Sequence, residues 1–317
     1  PVARRVANRT GMTYAPSART VHTRPMPLLG GAAIYLAVML ALALFGDRRE
    51  IAELAGILIG ATLVSFLGLW DDRKPIRPSV KLLGQALAVC VAIAAGVRVQ
   101  LTGVMALDVA LTLGWFLTVT NAINFMDNMD GLAGGVGAVA SGSFLLLAVL
   151  GGQHLVAPLA AALLGACVGF LIYNFNPATI FMGDGGSLFL GFALAAIGIK
   201  LRFPGHPTDV TWMVPVFVLA VPLFDLALVV VSRVRRRVNP FTTAGKDHLS
   251  HRLVRAGATP REAALALFLI GSVAGAMAIL TSVSGQREAW LVLGVVVALA
   301  AWAIRWLEAG PGPGTAT

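Results

Sequence analysis

Ten apolar stretches, each close to the length needed to cross a lipid bilayer, divide this chain. They are Leu28–Phe45, Ile51–Trp70, Val80–Val97, Leu101–Thr120, Leu132–Leu150, His154–Tyr173, Ser187–Lys200, Trp212–Ser232, Ala264–Thr281 and Ala289–Trp306. A spanning helix takes about 20 mostly apolar residues, so the pattern predicts an all-α, polytopic transmembrane protein with about ten spans. The fourth run, which contains Asp108, and the short seventh run fit least well. Gly and Pro recur within the runs, as membrane helices tolerate. Trp70, Trp115, Trp212, Trp290, Trp302 and Trp306 mostly lie near run ends, where interfacial anchors sit.

Composition supports this class. The chain is 57% hydrophobic and 12% charged, with a mean hydropathy of +0.83; soluble domains carry about 25% charged residues. No hydrophilic stretch is long enough to fold alone, so residues 1–317 are expected to form one integral-membrane domain. Residues 1–27 form a polar segment, 233–263 a basic loop and 308–317 a flexible tail. Segment 1–27 bears Arg and lacks an apolar run, so it is not a signal peptide, and a further span is expected before it. Cys90 and Cys167 fall in apolar runs and read as small buried side chains rather than disulfide or metal partners.

Ten spans put both ends on one side, and alternate connections share that side. Those connections hold 18 of the 24 Lys and Arg residues, which makes them cytoplasmic by the positive-inside rule. The net charge of +9 then belongs beside anionic lipid. No aromatic-interleaved basic patch accompanies it, so nucleic acid is not an expected partner. Every connection with suggestive chemistry falls in this same set.

The first is Asp71-Asp72, at the end of an apolar run. Solvated boundary charge is the bland explanation, but a helix C-terminus disfavours anions. Two close carboxylates also push their pKa values apart, leaving a candidate base beside a fixed anion. Lys81 opens the next helix on the same face, placed to meet phosphate. The second is Asn121, Asn124, Asp127 and Asp130, spaced by three, which predicts a polar stripe on a helical or 3₁₀ turn. Amide and carboxylate oxygens suit a hard cation or a nucleobase edge. Asp130 also reads as the N-cap of the following helix.

The third is Asn174 through Ser187, where Gly183, Gly185 and Gly186 flank Asp184. Glycines allow close backbone approach to a ligand, and the free N–H groups of the next helix suit an anion. Asp184 is placed to hold a metal. The fourth is His248, His251 and Arg252, after a basic run. No third soft ligand argues for zinc, and His and Arg serve better as phosphate donors. The basic run alone reads as an anchor to anionic lipid. Asp225 lies inside a span, where a carboxylate is costly unless paired; pairing with a polar loop is the expectation. Together these loops offer oxygens for Mg²⁺ and donors for phosphate at one membrane face. A second substrate presented by the membrane, such as a lipid phosphate, completes that reading.

At these positions the sequence resembles the polyprenyl-phosphate N-acetylhexosamine-1-phosphate transferases. The resemblance rests on Pro27-Leu28-Leu29-Gly30-Gly31, Asp71-Asp72, Asn121 through Gly135, Phe181 through Ser187, and His248 through Leu253, in that order. It implies attack by undecaprenyl phosphate on the β-phosphate of a UDP-N-acetylhexosamine, releasing UMP. It also implies Mg²⁺, with Mn²⁺ as a substitute, on Asn124 and Asp184. Asp71 becomes the base, with Asp72 in support. Asp130 reads the uracil, and Lys81, His248, His251 and Arg252 hold phosphates. Asn121, Asp127 and Asn174 complete the implied substrate contacts. The resemblance leaves direct displacement and a covalent carboxyl intermediate both open.

The His-x-x-His-Arg-Leu form is similar to the GlcNAc-1-phosphate branch, rather than to the branch that uses UDP-MurNAc-pentapeptide. A bacterial membrane and a homodimer are implied by resemblance alone, whereas the cytoplasmic face already follows from the placing of Lys and Arg. Two positions depart from the pattern: Ser250 stands where many relatives have His, and Asn128 where Gly is usual. The same chemistry with UDP-MurNAc-pentapeptide or another UDP-N-acetylhexosamine as donor is the nearer alternative. A secondary transporter is the remote one, which would use Asp225 as a proton site and keep its polar residues near the midplane.

Overall fold

The computed structural model describes residues 1–14, 25–45, 49–206, 208–240, 243 and 245–309. Among the described residues the chain is all-helical apart from one short hairpin. In order come α1 (Val2–Thr10), β1 (Thr13–Tyr14), β2 (Met26–Pro27), α2 (Gly30–Phe45), α3 (Ile51–Arg73), α4 (Pro78–Ala94), α5 (Met105–Met126), α6 (Leu132–Leu150), α7 (Val156–Asn174), α8 (Asp184–Lys200), α9 (Thr208–Thr211), α10 (Met213–Val218), α11 (Ala220–Arg235), α12 (Leu249–Arg255), α13 (Pro260–Val283) and α14 (Gln286–Ala309). The hairpin is antiparallel and pairs Thr13 with Pro27 and Tyr14 with Met26.

Each apolar run has its helix, but the lengths differ from the ten-span expectation. Six helices among the described residues are long and apolar enough to cross a membrane: α3, α5, α6, α7, α13 and α14. The eighth run becomes a seventh crossing only as a broken one, because α9–α10 and α11 meet at 81°. Pro222 lies in the first turn of α11 and has no N–H to continue the ladder from α10. Helices α2 and α4 are apolar but shorter.

The short seventh run is the centre of the molecule. From Gly185 to Lys200 every residue of α8 is buried, as expected of a helix that is apolar all round. Helices α3, α5 and α2 pack against it. Glycines permit the closest approach: a Cβ on Gly31 of α2 would collide with the Gly186 backbone, and one on Gly68 of α3 with the Asp184 carbonyl. Gly185 and Gly186, expected to let the backbone approach a ligand, thus serve helix packing, against Leu69 of α3 and Gly31 of α2.

Helix α5 starts four residues later than its run and ends six residues beyond it. Asp108, in its first turn, accepts from the backbone N–H groups of Leu101 (3.2 Å) and Thr102 (2.9 Å). The acid inside the fourth run thus ties down the preceding loop. The shift draws Asn121 and Asn124 into the helix. The basic loop holds α12, and the capping box of Thr259 and Glu262 starts α13. Helix α14 continues through Glu308 to Ala309, so these two residues are helical rather than tail; the rest of the expected tail, 310–317, lies outside the described residues.

Candidate active site

The C-terminal turns of α3 and α5 meet the N-terminal turns of α4 and α8 at one end of the bundle. Lys81 in the first turn of α4 is the hub. Its ammonium pairs with Asp71 Oδ2 at 3.0 Å and with Asp184 Oδ2. It also donates to the Asn124 amide oxygen at 3.4 Å. Asn124 Nδ2 in turn donates to Asp184 Oδ1 at 2.8 Å and to Ser187 Oγ at 2.9 Å. Three oxygens from three helices thus converge on one cation. Asp71 is steadied by the Ile76 N–H, 2.8 Å from its Oδ1.

Asp72 points the other way. Its carboxylate accepts from the backbone N–H groups of Asp184 (2.8 Å) and Gly185 (3.1 Å). The N–H groups expected to face a ligand anion are filled by this side chain. The same contact resolves the puzzle of adjacent acids at a helix C-terminus, since Asp72 sits on the positive end of α8's dipole. Gly183 makes the approach feasible with φ of 73°, and a Cβ there would run into the Asp72 carboxylate.

The turn after α5 carries Asp127 and Asp130. Burial pushes the Asp127 carboxyl up to about 8, reinforced by repulsion from Asp184, Asp72 and Asp130. Asp130 is not the cap of α6. Gly131 holds that position, and no side chain caps it through the N-cap residue. Asp130 Oδ2 instead accepts from Ala178 N–H (2.9 Å) and Asn176 Nδ2 (3.2 Å), bracing the loop before α8.

Two expected substrate contacts occupy structural places. Asn174 is 3% exposed; its Oδ1 accepts from Gly131 N–H at 3.0 Å and its Nδ2 donates to the Ile180 carbonyl at 2.9 Å. Asn121 pairs with the buried Gln85 of α4, donating to Gln85 Oε1 at 2.7 Å, and its Nδ2 also reaches the Leu117 carbonyl. Asn121 therefore braces α5 against α4, whereas Asn124 joins both α4 and α8, and the stripe of four does not act as one surface. Gln85 gave no sequence signal beyond being a polar residue inside an apolar run.

The histidine helix docks beside this cluster. Asp225 Oδ2 lies 2.7 Å from His248 Nδ1, and its Oδ1 accepts from Leu249 N–H at 2.7 Å. The intramembrane acid is thus paired with a polar loop, as its cost required. The bond at Nδ1 leaves His248 Nε2 for another partner. The His248 ring stands edge-on to Phe125 and His251. Burial and the nearby His248 and Lys246 hold His251 below its ordinary value.

Arg252 does not fit its expected phosphate role. Its guanidinium bonds the carbonyls of Asp247 (2.9 Å) and Leu307 (2.7 Å), Ser232 Oγ (3.1 Å) and the Glu308 carboxylate. It ties α12 to α11 and α14. The basic run is partly structural too: Arg233 is 3% exposed and bonds Asp247 at 3.1 Å, with Arg236 on the same acid at 2.7 Å. Burial alone would raise the Asp247 carboxyl, but these two arginines hold it below its ordinary value.

Among the described residues, no group of three His, Cys, Asp or Glu side chains forms a ready-made metal cage. The cluster at Lys81 suits a looser mode. Mg²⁺ commonly takes one or two carboxylates and completes its shell with water and substrate phosphate. The Asp184 carboxylate and Asn124 amide oxygen already gather about a cation, the Lys81 ammonium, and are hard donors of the right kind.

A model of glycosyl transferase family 4 matches residues 54–202, the span from α3 through α8. A protein of Bacillus subtilis strain 168, named "Probable undecaprenyl-phosphate N-acetylglucosaminyl 1-phosphate transferase", is 32% identical over 94% of this chain and 84% of its own. The decaprenyl-phosphate N-acetylglucosaminephosphotransferase of Mycolicibacterium smegmatis is 32% identical over 96% of this chain and 84% of its own. The undecaprenyl-phosphate alpha-N-acetylglucosaminyl 1-phosphate transferase of Yersinia pestis is 29% identical, covering 94% and 83%.

Proposed function

From the premise that this chain belongs to glycosyl transferase family 4, alongside the polyprenyl-phosphate N-acetylglucosamine-1-phosphate transferases, we propose that it transfers GlcNAc-1-phosphate from UDP-GlcNAc to undecaprenyl phosphate. The products are undecaprenyl-diphospho-GlcNAc and UMP. The observation that carries this reading is the meeting of Asp71, Asn124 and Asp184 on Lys81 at one end of an apolar helix bundle.

Asn124 and Asp184 would hold Mg²⁺, which neutralises a pyrophosphate and eases departure of the nucleotide. Lys81 is the mobile cation of the cluster and exchanges its carboxylate partners for substrate phosphate. Asp71 takes up any proton on the lipid phosphate, from the position in which Ile76 N–H holds it. An oxygen of that phosphate attacks the β-phosphorus, and the bond from the β-phosphorus to the bridging oxygen of UMP breaks. His248, fixed through Nδ1 by Asp225, presents Nε2 to the phosphates. Asp72 positions Asp184 by closing the start of α8.

Counted on about ten crossings, the excess of Lys and Arg on alternate connections supports a site on the cytoplasmic face, which in a bacterium is a face of the inner membrane. Asp225 has two partners and polar residues gather at one end of the bundle, which argues against a transporter. The test uses purified protein, Mg²⁺, undecaprenyl phosphate and a panel of UDP-sugars. UMP release with UDP-GlcNAc that requires the lipid phosphate is the expected result. Release with UDP-MurNAc-pentapeptide alone would replace the sugar assignment, and no release with any donor would sink the reading.

A further inference from the structure

The fold brings Asn128, in the turn after α5, into contact with Ser250 of α12. Ser250 Oγ donates to Asn128 Oδ1 at 2.8 Å across 122 residues of chain. Asn128 Nδ2 donates to the Phe125 carbonyl at 2.7 Å. Ser250 is 1% exposed, so its hydroxyl is spent inside the protein. Both ends of the Asn128 amide are likewise occupied by protein partners.

The bond has a particular place in the site. Asp225 and Arg252 fasten α12 to α11 and α14. The Asn128–Ser250 bond fastens the same helix to the turn that carries Asp127 and Asp130. His248 and His251 therefore keep their distance from the carboxylate end of α5 through this pair.

We propose that Asn128 and Ser250 are a positioning pair, a single unit that sets the histidine helix against the carboxylate turn. This rests on the functional reading above, in which the two sides of the site hold one pyrophosphate between them.

A double-mutant cycle on the purified full-length protein tests it, with kcat and KM for UMP release as readouts. Asn128→Ala and Ser250→Ala should each lower kcat by about tenfold, the scale of one buried hydrogen bond left half-made. KM for the UDP-sugar should stay within about twofold, because neither side chain is free to touch substrate. The double variant should be no worse than the poorer single.

Multiplied losses of about a hundredfold, or single variants with wild-type kcat, would each overturn the pair. So would losses of kcat that merely track a fall in melting temperature. If Ser250→Ala does not fold, Ser250→Cys keeps the volume with a weaker donor and takes its place in the cycle. A wild-type protein that releases no UMP would overturn the functional reading and this one with it. An active wild type with additive variants would overturn this one alone.

Discussion

Helices α3 and α8 pack antiparallel, and their two ends are built in opposite ways. At one end Lys200 closes α8 and meets Glu53 in the first turn of α3, with Glu50 at 3.3 Å. A cation at a helix C-terminus and an anion at an N-terminus each suit the local dipole. That cluster satisfies itself. At the other end Asp71 and Asp72 close α3 and Asp184 opens α8. Asp72 is taken up by the α8 backbone. Asp71 and Asp184 share a single lysine, with Asp127 close enough to feel Asp184 and Asp72. This end is short of positive charge. The difference marks one end as a staple and the other as a place for a cation and its phosphates.

The largest expected effect separates the two ends directly. Asp184→Asn should lower UMP release by about 10³-fold, the upper range for removing one electrostatic contact at a reacting centre. The double variant Lys200→Met/Glu53→Gln, which deletes the far staple and leaves only the exposed Glu50 without its lysine, should leave kcat within about twofold. Similar losses at both ends would end the distinction. Chelation with EDTA comes next: activity should fall to background and return with Mg²⁺ or Mn²⁺. Activity that persists through chelation would leave Lys81 as the sole cation of the cluster.

Asp72→Asn probes the helix cap. It should cost about 1 kcal/mol of stability, the usual worth of a cap, and about tenfold in kcat through Asp184. A loss of stability with kcat unchanged would separate the cap from the chemistry. Lys200→Met alone should destabilise by about 3 kcal/mol, because it strands a partly buried carboxylate, while sparing kcat. Melting curves in detergent, read beside the rate assay, decide both.

The smallest effect is a pH slope. Asp127 keeps its proton up to about 8 in the folded protein, whereas an unfolded aspartate loses it near 4. Across that window the folded state binds more protons, so this group's contribution to stability falls as pH rises. Asp127→Asn should flatten the decline in melting temperature between about pH 5 and 8 in metal-free buffer. Equal slopes in the two proteins would show that the carboxylate excess is less severe than the geometry implies.

Much of the fold was legible because apolar length is a local property. Every run found its helix, and the motifs fell at helix ends. The seventh run looked weak because it is short, yet it is the central helix, since protein rather than lipid surrounds it. The site was legible as a set of residues and much less so as roles. Asp71, Lys81, Asn124 and Asp184 converge, and Asp225 found its polar loop. Asn121, Asn174 and Arg252 carry the same chemical groups but spend them on Gln85, Gly131 with Ile180, and α14. Nothing in their local sequence distinguishes a donor that is used from one that is free.

The sequence by itself determined that this chain is a bundle of apolar helices whose acids, amides and histidines collect at one end, because hydrophobic length and residue type are written position by position. Only the tertiary structure decided which of those polar groups remain available. Hydrogen bonds saturate, and the partner that saturates each one arrives from another helix. Asp72 is held by a backbone 112 residues away, and Ser250 by an amide 122 residues away.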